Sequence, residues 1–202
     1  MRLFSSPTTP FGRKPTVVLH EAGLIDRVQV VHVAGNAVDT GTMPIEFNPL
    51  GKVPALLLHD GRTLYDSVVI CRYLAEQAMP QLYRAGPALW DSLTLEATAD
   101  GIMDASVLMV YEARLRPEAM RFAPWVEGQW AKITRTLDVV EQRWMPHLLG
   151  PLDIGQIAMG CALGHLDLRH DARNWRDGRP QLAGWWATFA ERPSMVATRP
   201  AV

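Results

Sequence analysis

Met79 divides this chain by the kind of regular structure its sequence can form. Before it, short β-branched and apolar runs alternate with helical patterns; after it, no strand signal remains. Arg2 to Ser5 suits a strand, and Thr9-Pro10 offers a helix N-cap followed by proline at the first helical position. Val17, Val18 and Leu19 continue that helix, Pro15 falls inside it and is expected to kink it, and Gly23 suits a left-handed stop. Val28 to Val33 and Val53 to Leu58 read as two further strands. Asp60-Gly61 marks a hairpin turn that returns through Thr63 to Tyr65, and Asp66-Ser67 opens a helix to about Ala78. The order is that of a compact α/β unit.

The rest reads as all-α. Met79-Pro80 to Gly86-Pro87 is a linker by composition, and a long helix runs from about Ala88 towards Arg114, stopping before Pro117. Ile133, Leu137, Val140 and Trp144 form one apolar stripe, and Leu182, Trp185, Trp186 and Phe189 another. Between them, Asp153 with Gln156 is a capping box opening an apolar helix to about Arg169. The division is therefore an α/β domain at 1–78, a linker at 79–87 and a helical domain at 88–202.

Composition removes several classes of function. The chain is 48% hydrophobic and 20% charged, with a net charge of −1, so it is no disordered polymer. Charge also divides evenly: residues 1–78 carry seven Lys/Arg against seven Asp/Glu, and the remainder 13 against 14. No basic region exists to bind nucleic acid. The longest stretch without Asp, Glu, Lys or Arg, Ile154 to Leu166, is too short for a membrane span, and the N-terminus lacks the apolar core of a signal peptide. Cys71 and Cys161 form no disulfide framework and no CxxC pair. The histidines make no HxxxH or HxH pair, so no metal site is expected. A cytoplasmic location is the expectation.

Asn48-Pro49-Leu50-Gly51-Lys52-Val53-Pro54-Ala55-Leu56, then Asp66-Ser67 and Ile70-Cys71-Arg72-Tyr73-Leu74-Ala75-Glu76, resemble the glutathione S-transferases. Ser6-Pro7-Thr8-Thr9-Pro10-Phe11-Gly12-Arg13-Lys14, Ala99 to Ala105, Gly155 to Arg169 and Glu191-Arg192-Pro193-Ser194 resemble the small bacterial YibF-like branch of that family. The resemblance covers nearly the whole chain. It implies a thioredoxin-like N-terminal domain and a glutathione-transferase-type helical C-terminal domain. It also implies glutathione as co-substrate, a small apolar electrophile as second substrate, and a homodimer.

The same resemblance assigns roles residue by residue. Val53-Pro54 would be a cis peptide that offers the valine N–H and C=O to the cysteinyl part of glutathione; a bare Val-Pro otherwise merely starts a strand. Ser67 would hold the γ-glutamyl carboxylate at a helix N-terminus, with Asp66 facing the ammonium, whereas simple capping is what Ser67 would supply in any case. Thr9 stands where the family places a catalytic Ser before proline, so it keeps the hydroxyl donor for the sulfur but adds a methyl and a stiff χ1. Its other role is helix N-cap, with Ser5, Ser6 and Thr8 as nearby substitutes. Phe4 offers no hydroxyl for a tyrosine-type site, and no cysteine lies near Thr9 for disulfide exchange.

Two departures bear on affinity and assembly. No Lys or Arg lies between Arg27 and Lys52, so the cation for the glycyl carboxylate falls to Lys52, Arg13 or a partner subunit. Glu96, Asp100 and Asp104 form an acidic stripe whose ordinary meaning is a solvated face; across a dimer, Asp100 or Asp104 would meet Arg72. Cys71 reads as a small buried residue rather than a nucleophile. Two functions remain: a transferase joining the glutathione thiolate to an electrophile, or a binding protein that holds glutathione or a partner without turnover. The electrophile pocket is expected from helix faces and the loop after the first strand.

Overall fold

In the computed structural model, which describes residues 1–200, four short strands make one mixed sheet in the order β2-β1-β3-β4. β1 (Arg2–Ser5) pairs in parallel with β2 (Gln29–His32) and antiparallel with β3 (Ala55–Leu57). β4 (Thr63–Leu64) returns antiparallel to β3. α1 (Pro10–Glu21) carries the crossover between β1 and β2, and α2 (Ser67–Ala78) follows β4 and packs on α1. This is the thioredoxin-like arrangement. α1 runs without a break through Pro15, so the expected kink does not interrupt it, and Gly23 ends it at φ +64°.

The remaining elements are helical: α3 (Ala88–Leu115), α4 (Ala123–Val139), α5 (Met145–Leu148), α6 (Ile154–His170), α7 (Pro180–Phe189) and α8 (Pro193–Ala197). A π-helical turn, Val140–Trp144, joins α4 to α5, and the apolar stripe through it gave no sign of the change. Every residue from Ile154 to Leu166 is buried, which explains the uncharged run there. The capping box forms: the Asp153 carboxylate accepts from Gln156 N–H at 3.3 Å while the Gln156 side-chain Oε1 accepts from Asp153 N–H at 3.0 Å. No described helix is long and apolar enough to cross a membrane.

Charged groups of α1 tie it to the helical part. The Lys14 side chain is 0% exposed, and its ammonium donates to Glu96 at 3.1 Å and to both oxygens of Asp100 at 2.8 and 2.9 Å. The acidic stripe of α3 is therefore no solvated face at this point: Glu96 is 2% exposed and Asp100 18%. Burial would lower the Lys14 pKa, yet Glu96 and Asp100 raise it overall, so the ammonium stays charged. Burial raises both carboxyls above their usual range against the pull of Lys14. Arg13 donates to the Met195 carbonyl at 2.9 Å and to Thr198 Oγ1 at 3.3 Å, and Glu21 accepts from Arg192 and Ser194. α1 is thus held in its first half by both α8 and α3, and at its last residue by the start of α8.

Lys14→Met leaves two buried carboxylates without their cation. Stability should fall by about 3–5 kcal/mol, read as a lower urea midpoint, and Glu96→Gln in the same chain should recover part of it.

Candidate functional site

The approach to β3 is built by one buried side chain. Asn48 donates from Nδ2 to the Lys52 carbonyl at 2.8 Å and accepts from Leu50 N–H at 3.1 Å, while its own carbonyl accepts from Gly51 N–H at 2.9 Å. Gly51 turns there at φ +61°, a conformation that costs glycine little. The Val53-Pro54 peptide is cis, as expected, and the ladder to β1 starts only at Ala55. The Val53 N–H and C=O therefore make no hydrogen bond among the described residues.

Facing this edge is the start of α2. Asp66 is its N-cap and accepts from Val68 N–H at 3.0 Å. Ser67, expected to cap the helix, is instead its first residue, so its hydroxyl makes no hydrogen bond among the described residues. The Tyr65-Asp66 peptide is also cis, and no sequence spacing announces a cis bond before a residue other than proline.

Lys52, Val53, Pro54, Asp66 and Ser67 line one cavity of about 130 Å³. Phe11 from α1, Tyr65, and Asp104 from α3 help to complete it. The stripe's spacing assigns Asp104 to a solvated face or to Arg72 across a dimer, and only the packing of α3 against α1 brings it to this cavity. Burial raises the Asp104 carboxyl above its usual range, Lys52 draws it down, and Asp66 pushes it up again. The cavity thus holds two carboxylates, one ammonium, and the free hydroxyl at a helix N-terminus, where the macrodipole favours an anion.

Thr9 is the N-cap of α1 but does not line this cavity, and its side chain makes no capping hydrogen bond. Gly12 shows why. A Cβ there would collide with Ser5 Oγ and lie 2.7 Å from the Thr9 methyl. The methyl, not the hydroxyl, therefore occupies the seat over the first turn. Ser5 is buried against the same glycine, which weakens it as a substitute donor. Arg13 is spent on α8 and is no candidate for the glycyl carboxylate, which leaves Lys52 or a partner subunit. Cys71 is wholly buried, and burial raises its thiol pKa well above the usual range, so it is no nucleophile.

A second pocket, of about 630 Å³, opens one helical turn beyond Asp104. Its walls are Leu108, Tyr111 and Leu115 of α3, Met120, Phe122 and Trp125 around the start of α4, and Val38. Val38 lies in the loop after the second strand.

The chain belongs to the glutathione S-transferase family, a family of transferases. Residues 8–77 match the glutathione S-transferase N-terminal domain, and residues 123–187 its C-terminal domain. Among individual proteins, the chain is 34% identical over 210 residues to the uncharacterised GST-like protein YibF of Escherichia coli K12, covering 99% of this chain and 98% of that one. A glutathione transferase family member from Pseudomonas fluorescens Pf-5, solved with bound glutathione, superimposes with a TM-score of 0.97 at 46% identity. The match covers 100% of this chain and 99% of that one. A family member from the same strain, with bound S-(propanoic acid)-glutathione, gives 0.92 at 46% identity over 100% of both chains.

Asn48→Ala removes both bonds that shape the turn before Val53. It should cost about 1–3 kcal/mol of stability, measured by urea unfolding, because the site is buried and leaves the Lys52 carbonyl and Leu50 amide unpaired.

Proposed function

We propose that this protein is a glutathione transferase that joins the glutathione sulfur to a small apolar electrophile. The cavity carries the reading: two carboxylates, Asp66 and Asp104, face a free hydroxyl at a helix N-terminus, and that set complements the ammonium and carboxylate of one α-amino acid head. Ser67 takes the γ-glutamyl carboxylate, and Asp66 with Asp104 the ammonium. The unpaired N–H and C=O of Val53, set by Pro54, pair with the cysteinyl backbone in strand fashion, and Lys52 meets the glycyl carboxylate. Relatives with glutathione and with an S-substituted glutathione bound support both the ligand and a site open to the thioether product.

The chemistry needs a thiolate. A thiol with a pKa near ~8.5 is only about 3% ionised at neutral pH, and a lowering of ~2 units needs roughly 2.7 kcal/mol of preferential stabilisation. Thr9 supplies a hydroxyl not spent on its own helix, beside the N-terminus of α1, whose partial positive charge favours the same ion. The thiol proton passes to water. The sulfur lone pair then forms the new carbon–sulfur bond while the electrophile's leaving group departs with its electrons. The electrophile rests in the second pocket against α3 and Trp125. A glutathione-binding protein without turnover is the rival reading, favoured by Thr9's absence from the cavity lining.

The division at 1–78, 79–87 and 88–202 and a cytoplasmic location belong to this proposal. So does a homodimer, supported by the exposure of Val69 on α2 and of Trp90 on α3, the latter 68% exposed, and by open space at Gly101. Within the subunit Lys14 occupies Asp100, so the ion pair expected across the dimer falls to Arg72, whose Nε bonds Glu76 at 2.8 Å and which stacks on Tyr83, and to Asp104 of the partner subunit. Light scattering should give twice the chain mass at micromolar concentration; a monomer there refutes the dimer.

Mutation separates binding from chemistry. Ser67→Ala should weaken glutathione affinity about 10- to 150-fold, the cost of losing one hydrogen bond to a charged group, followed by Trp fluorescence. Thr9→Ala should leave that affinity within about a few-fold yet raise the bound thiol pKa, seen as weaker thiolate absorbance at neutral pH. Thr9→Ser should retain the lowered pKa. Conjugation by Thr9→Ala at the wild-type rate reduces Thr9 to a helix terminus, and glutathione binding with no conjugation by wild type establishes the rival.

A further inference from the structure

The second pocket is not purely apolar, and its polar groups are unequally occupied. Glu112, 8% exposed, has both carboxylate oxygens spent: Oε2 accepts from Arg116 Nε at 2.8 Å and Oε1 from Phe122 N–H at 2.9 Å. These bonds hold the Glu112 carboxyl below its usual range, so it stays ionised and anchors the turn between α3 and α4. That turn carries Met120 and Phe122 into the pocket wall. Arg116 is different. Its Nε is fixed by Glu112, but its two terminal amino groups have no partner among the described residues, and the side chain is 48% exposed at the pocket.

We propose that this pocket selects electrophiles bearing a carboxylate on an apolar body, with Arg116 as the group that receives it. The proposal rests on the transferase reading above. A guanidinium held at Nε offers its other edge as a planar two-donor fork, the geometry a carboxylate accepts. Charge complements this. Glu112 cancels one guanidinium, and Arg121, whose Nε donates to the Arg116 carbonyl at 3.3 Å, brings a second close to that carboxylate. Glu118 sits in the exposed turn and does not line the pocket. A neutral electrophile meets only the apolar walls.

Position fixes which end of the substrate carries the charge. Arg116 lies about three turns of α3 beyond Asp104, so the carboxylate sits at the end remote from the reacting carbon. For an aryl chloride, the thiolate lone pair forms the carbon–sulfur bond, chloride leaves with the carbon–chlorine pair, and the carboxylate is unchanged by the reaction.

The probes are 4-chloro-3,5-dinitrobenzoate and its methyl ester, which place the charge opposite the chlorine. The ratio of kcat/KM for acid over ester should fall about tenfold in Arg116→Gln, a half-exposed charge-assisted pair being worth the lower end of its range. Arg116→Lys should retain part of the ratio. A ratio unchanged in Arg116→Gln overturns the proposal, as does an equal fall for both substrates, which would mark Arg116 as a shaper of the wall. Should wild type conjugate neither compound, the transferase reading fails separately. The selection is then read from equilibrium binding of the two preformed glutathione thioethers by Trp fluorescence. Tighter binding of the acid, lost in Arg116→Gln, supports the pocket's preference, and equal affinity overturns it.

Discussion

Lys14 reaches from the middle of α1 to two carboxylates on α3, and the placement of everything functional follows from that contact. α1 begins at Thr9 and carries Phe11 into the cavity, while α3 carries Asp104 into the same cavity from the other side. Neither sheet nor helical layer makes the site alone. A buried ammonium with no carboxylate costs several kcal/mol, so the pair forbids α1 and α3 from separating or sliding by a turn. Apolar packing between the two helices would hold them together with less control over register. The ion cluster supplies that register because three oxygens must meet one nitrogen.

Local signals in the sequence carried the elements well, since each depends on a few adjacent residues. Thr9-Pro10, Asp60-Gly61, Asp66-Ser67 and the Asp153–Gln156 box all sit where helices begin or strands turn. What the sequence concealed was tertiary. An acidic stripe at spacing four looks the same whether it faces water or a buried lysine, and only the partner on α1 decides. Arg13 and Lys14 are neighbours with one charge each, yet a rotation of about 100° per residue sends one to α8 and the other to α3. The π turn at Val140–Trp144 hides for a related reason: its one extra residue leaves the apolar spacing plausible for an unbroken helix.

The candidate site shows the same division. Val53, Pro54, Asp66 and Ser67 were legible because the family resemblance preserves them in motif order, and the structure brings them to one cavity. The resemblance did not say which of Asp66 and Ser67 would cap α2. Asp66 does so, and the consequence is chemical rather than cosmetic: one carboxylate oxygen orders the helix end, and the serine hydroxyl is left for a ligand. Thr9 repeats the pattern at α1. Its methyl fills the space that a side chain at position 12 would need, so Gly12 and the extra methyl of threonine are complementary, and the hydroxyl escapes the helix.

α3 is the element that measures out these sites. Residues 96, 100, 104, 108 and 112 recur at intervals of four, and each step rises roughly 6 Å while overshooting a full turn by about 40°. The stripe therefore winds slowly around the helix instead of staying on one face. Glu96 and Asp100 point to Lys14, Asp104 reaches the cavity with Ser67, and Leu108 and Glu112 arrive at the second pocket beneath Phe122. One rigid helix thus sets the spacing between the clamp, the cavity at Ser67 and the second pocket. Moving a side chain along that stripe by a single residue would swing it by about 100° and lose the site it serves.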